Sequence, residues 1–168
     1  MKSLTCIIIG MCMFSVTLVQ AQAVKVSSVE QVMKNRNPEG QDDLNNLLNG
    51  AISKLILSND NAPMYVWKEE GATKVVKIDE GSKLELLNDN DLTLPLATAE
   101  VFIFTWDKEN AMSPTNEQLT RFKKLKYILI NSYDELNETI LRDILKDVLS
   151  YLAEAKVQVL FKKLEQPS

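Results

Sequence analysis

Between Glu100 and Lys163 lie three short apolar runs, Val101-Phe102-Ile103-Phe104, Tyr127-Ile128-Leu129-Ile130 and Val157-Gln158-Val159-Leu160-Phe161, separated by helical patterns. Runs of this length, rich in β-branched and aromatic residues and bounded by helices, have the character of parallel strands buried on both faces. The first connection opens on Ser113-Pro114, with serine as cap, proline suited to the first helical position and Glu117 in the first turn. There Leu119, Phe122 and Leu125 face inward. The second opens on Ser132-Tyr133-Asp134-Glu135, the spacing of a capping box. It strings Leu136, Ile140, Leu141, Ile144, Leu145, Val148, Leu149 and Leu152 along one stripe with the 3.6-residue period. The stretch predicts a parallel βαβαβ core over about residues 100–162. Right-handed crossovers would put both helices on one face of its sheet.

Working outward, Leu44, Leu47, Leu48, Ala51, Ile52, Leu55 and Ile56 keep helical spacing, and Asp42 and Asp43 suit a helix N-terminus. An amphipathic helix is expected over about 42–57, with Gly50 on its flank. Ser58-Asn59-Asp60-Asn61-Ala62-Pro63 is a stop. Met64-Tyr65-Val66-Trp67, Thr73 to Ile78 and Lys83 to Leu87, with Gly71 and Gly81 at the turns, predict an antiparallel β-meander over about 64–87. Leu92-Thr93-Leu94-Pro95-Leu96 is expected as an edge strand or extended linker, because Pro95 cannot donate to a ladder. The fold class is therefore α/β: a single mixed sheet with a parallel core, an antiparallel meander and one preceding helix, which covers the other face or extends the same layer.

The N-terminus has a different character. Lys2 precedes an uncharged run from Cys6 to Val19 that ends in the small-residue steps Val19-Gln20-Ala21 and Ala21-Gln22-Ala23. A positive start, an apolar middle and small residues at the end describe a secretory signal peptide over residues 1–21. A flexible, polar segment 22–41 and a single globular domain 42–168 are expected to follow. The ending Val19-Gln20-Ala21-Gln22 resembles the signal peptides of small exported Bacteroidota proteins of unknown function. That resemblance covers about twenty residues and implies a compartment, periplasm or cell surface, rather than an activity.

Cys6 and Cys12 fall inside the signal, so the mature chain holds neither cysteine nor histidine. That excludes disulfides, most nucleophilic triads and most zinc or transition-metal sites, and no cofactor is expected. Loss of residues 1–21 removes one charge, Lys2, so the net charge of -4 becomes -5. An acidic chain without a basic stripe does not suit nucleic acid, and no stable membrane insertion is expected once the signal is cleaved.

Ligands of open parallel sheets collect beyond the carboxyl ends of the strands. Here those ends carry Trp106 and Asp107, then Asn131, Ser132, Tyr133 and Asp134. Aromatics beside acids and amides suit a sugar or a peptide. The plainer account makes Trp106 and Tyr133 core lids and Ser132 and Asp134 helix-start residues. Carboxylate pairs for a small hydrolase are available among Asp107, Glu109, Asp134 and Glu135, as in any acidic protein. Asp89-Asn90-Asp91 lacks the pattern of a calcium loop and reads as a turn. The series Leu119, Phe122, Leu125, Ile128, Ile130, Asn131 looks like one leucine-rich repeat, but no second copy appears at 20 to 29 residue spacing. The expectation is a non-enzymatic binding or interaction module with a protein or carbohydrate partner. The alternatives are a carboxylate-dependent hydrolase and an assembly subunit pairing through a sheet edge.

Overall fold

A computed structural model describes residues 23–58, 61–67, 72–109 and 111–165. The signal-peptide segment lies outside the described residues. The strands are β1 (Val26–Ser28), β2 (Lys54–Ser58), β3 (Asn61–Val66), β4 (Val75–Ile78), β5 (Val101–Thr105), β6 (Tyr127–Ser132) and β7 (Gln158–Lys163). The helices are α1 (Val29–Lys34), α2 (Pro38–Asn49), α3 (Thr93–Thr98), α4 (Asn116–Thr120), α5 (Glu138–Ile144) and α6 (Leu149–Glu154). The strands form one mixed sheet in the order β1-β7-β6-β5-β4-β2-β3, parallel throughout except for the antiparallel pair β2-β3.

The βαβαβ core is present as its apolar runs imply. Phe102 lies opposite Ile128, and Ile128 opposite Val159. Alternate residues of these strands feed opposite layers, which is why the runs of β5 and β6 are apolar without a break and Gln158 alone interrupts the third. Phe102, Phe104, Ile128, Ile130 and Val159 join Leu96, Leu119, Phe122, Leu141 and Leu152 on one side. Val101, Ile103, Leu129 and Leu160 meet Val32, Leu44 and Leu48 on the other.

Chain direction explains which helices go where. From β4 to β7 every step moves to the same neighbouring side, so right-handed connections all land on one face. The step from β1 to β2 crosses the sheet the opposite way, and the same hand puts α1 and α2 on the other face. Val75, Val101 and Tyr127 stand side by side, each 26 residues after the last. The winding is thus periodic where the sequence is not. Unlike residues fill equivalent places, so no second repeat copy was visible.

Several elements differ from the sequence expectation. The segment 22–41 is not a flexible lead-in: Val26–Ser28 pairs in parallel with Val159–Phe161, Val32 is buried, and α2 already begins at Pro38 behind the Asn37 cap. The domain therefore takes in β1, α1 and the start of α2, all before residue 42. Helix α2 ends at Asn49 rather than 57, because Lys54–Ser58 alternates half-buried and buried residues as a strand. Gly50 marks the break: a Cβ there would meet the Asn46 carbonyl oxygen at 2.5 Å.

Residues 64–87 do not form a three-stranded meander. β3 pairs antiparallel with β2, β4 inserts in parallel on the other side of β2, and Gly81–Asn88 is 3-10 helix. Leu92 to Leu96 is not an edge strand, since Pro95 sits in the first turn of α3, where no amide donor is needed. The predicted Ser132 cap belongs to a turn: its Oγ accepts the Asp134 amide at 2.9 Å, and α5 starts instead behind Asn137, whose Oδ1 accepts the Ile140 amide. The single long helix expected there is two short ones.

Candidate functional site

The carboxyl ends of the strands scatter the six predicted residues. Trp106 continues the alternation of Phe102 and Phe104 into the core and is 6% exposed, and its amide donates to the Asn131 carbonyl at 2.8 Å. Its indole Nε1 is buried with no hydrogen-bond partner among the described residues. Ser132 is fully buried, and its carbonyl accepts the Leu164 amide. Asn131 pairs with Thr105 and follows Leu129 on the opposite, α1–α2 face. Asp107 is half-buried beyond the end of β5. Asp134 is exposed and uses Oδ2 to accept the Lys108 amide at 3.1 Å, tying two loops together. Tyr133 is half exposed over a shallow hollow shared with Lys163, Leu164 and Glu165, while Lys163 forms an ion pair with Glu135. The structure brings together Trp106 with Asn131 through the backbone, and Ser132 with Asp134 through a turn. Their side chains leave in three directions and do not converge on one hollow.

The amino ends of the strands carry a charge ladder. Lys74, Glu100 and Lys126 precede β4, β5 and β6, again 26 residues apart, and the Glu100 carboxylate bridges both ammonium groups, at 2.6 Å to Lys126. The hydrogen bonds from Lys126 and then Lys74 hold the Glu100 carboxyl below its ordinary range, and Glu100 in turn raises Lys126. A triad placed by strand register with its acid 12% exposed is a structural clamp. Among the described residues no group of three or more acids could hold a metal ion, and no helix is long and apolar enough to cross a membrane.

The surface that sequence reasoning missed lies at the other end of the sheet. Met64, Tyr65 and Trp67 from β3 and its end are 52%, 38% and 56% exposed, and Leu94 on α3 is 73% exposed. Tyr65 and Leu94 line a groove of about 550 Å³ with Ala72, Thr73, Asp91, Pro95 and Thr98. Trp67 has φ 55°, a left-handed conformation that a bulky residue adopts only where its surroundings impose it. Register puts Tyr65, with Leu94, on the crossover face and Met64, beside Ile56, on the other, so both faces of this corner expose apolar surface, as interaction surfaces do. The available signal was Asn61 to Trp67, a chargeless, aromatic-bearing stretch whose Pro63 fits only an edge strand.

Comparison with protein-family models, with curated proteins and with solved structures finds no match to this chain.

Proposed function

We propose that this chain is an exported, non-enzymatic binding module, periplasmic or at the cell surface, that engages a protein partner through the β2–β3 corner of its sheet. The observation that carries the reading is the exposure of Met64, Tyr65 and Trp67 along the edge strand β3 and its end, with Leu94 exposed beside Tyr65 in the groove. Tyr, Trp and Met are the residues that interface centres favour. The hydrolase alternative draws less support, because Asp134 and Glu135 are committed to a loop clamp and an ion pair.

The test is a pull-down from the native envelope with wild type, Met64→Ser/Trp67→Ala and Tyr133→Ala. The reading expects a specific partner that the corner variant loses by tenfold or more and the Tyr133 variant retains. Loss with Tyr133→Ala and retention with the corner variant would move the site back to the strand ends.

A further inference from the structure

The two faces of the β2–β3 corner are not equally covered. On the crossover face, Leu55 and Leu57 of β2 are buried against Leu84, Leu87, Leu92 and Leu96. On the opposite face the register aligns Lys54 with Val66 and Val75, and Ile56 with Met64 and Lys77. The buried cluster beneath α1 and α2 takes side chains from β4 to β7 but, among the described residues, none from β2 or β3. Lys54, Ile56 and Val66 are accordingly only half-buried, and Met64 is open. Among the described residues the helix layer stops short of the sheet edge.

The width of the gap says what would fill it. Adjacent strands lie about 4.8 Å apart, so the row of Lys77, Ile56 and Met64, beyond the covered Val75, spans about 10 Å, the diameter of one α-helix with its side chains. The charge of the gap says what that helix carries. Lys54 and Lys77 are diagonal neighbours on this face, and Lys54 is pulled below its ordinary range by burial first and then by Lys77. Lys77 pairs with Asp79 at 2.6 Å, both partly exposed, an arrangement weak enough to be exchanged. Two cations flanking Ile56, Met64 and Val66 make an apolar strip with a positive border. A second copy would bring like charges together.

We infer that the half-covered β2–β3 face, with the Lys77 end of β4, receives one acidic amphipathic helix from the partner, extending the α1–α2 layer, with its apolar stripe on Ile56, Met64 and Val66 and its carboxylates at Lys54 and Lys77. The inference rests on the corner being the contact surface and adds the partner's shape and charge.

Three synthetic peptides test it: a helical one with leucine at i, i+3, i+4 and i+7 flanked by glutamate, the same helix with lysine for glutamate, and an extended peptide alternating valine and glutamate. Binding is read by anisotropy of the labelled peptide and by Trp67 emission, with Trp67→Phe separating it from Trp106. The acidic helix should bind at least tenfold more tightly than the other two, weaken with salt, and lose tenfold or more on Lys54→Glu/Lys77→Glu, whose fold is checked by its unfolding midpoint. Equal binding of the basic helix, preference for the extended peptide, or no binding by any of the three would overturn the inference. So would a dimer in sedimentation that Met64→Ser abolishes. The contact-surface reading is judged separately, by whether Met64→Ser/Trp67→Ala releases the native partner.

Discussion

Two residues carry strain or charge that the rest of the molecule must hold in place. Lys156, just past α6, sits at φ 57°, where its amide bonds the Ala153 carbonyl and the next amide, Val157, reaches back to Leu152 at 2.9 Å. That is a Schellman closure, a position where glycine is at home and a lysine Cβ is crowded. Lys156→Gly should therefore stabilise the protein by about 0.5–1 kcal/mol, read as a higher urea midpoint with an unchanged slope. Glu100 is the second case. Its folded carboxyl is held low by Lys126 and Lys74, so its contribution is complete above the unfolded value and is lost as pH falls through the folded one. With both lysines about half exposed, Glu100→Gln should cost only about 1 kcal/mol at pH 7. The gap between variant and wild type should narrow as pH falls from the unfolded carboxyl value, about 4.3, down through the lower folded one. The raised Lys126 is lost only at alkaline pH and leaves that window clear.

Among the elements, β1 tests whether the domain begins where the structure begins it. Val24 and Val26 are buried, the strand pairs with β7, and Arg142 donates to the Val24 carbonyl at 3.0 Å. A chain beginning at Val29 should lose about 3–5 kcal/mol relative to one beginning at Ala23, from two buried valines and their neighbours, in equilibrium urea unfolding. Equal stability would show that β1 is dispensable. This strand was illegible in the sequence because three residues, two of them serines, carry no period. Its pairing depends on β7, more than 130 residues later. Strands β5 to β7 were legible because burial on both faces leaves a run that is apolar but for Gln158. The segment Leu55-Ile56-Leu57 misled for a related reason: a short apolar run satisfies helix and strand periods alike, and the glycine that ends α2 decides it. Of the predicted site, Trp106 and Ser132 were placed at strand ends correctly but turned inward. Strand alternation across β5 and β6 fixes that direction once the register is known, and the register follows from contacts far apart in the chain.

At the scale of the molecule, one rule of handedness arranges everything. Three crossovers moving one way load one face with α3 to α6, and a single return across the sheet puts α1 and α2 on the other. Among the described residues, the eighteen of α1 and α2 do not reach β2 and β3. The bare corner beside β2 and β3 follows from that shortfall, and the exposed Met64 and Trp67 are its visible sign. The most direct test is amide hydrogen exchange of the free protein beginning at Ala23, resolved by peptide. Val101–Thr105 and Tyr127–Ser132 should exchange most slowly, Val26–Ser28 should be measurably protected, and Asn61–Trp67 should be the fastest-exchanging strand segment, protected further when the proposed acidic helix is added. Protection of Asn61–Trp67 equal to that of β5 in the free protein, or free exchange across Val26–Ser28, would contradict the account.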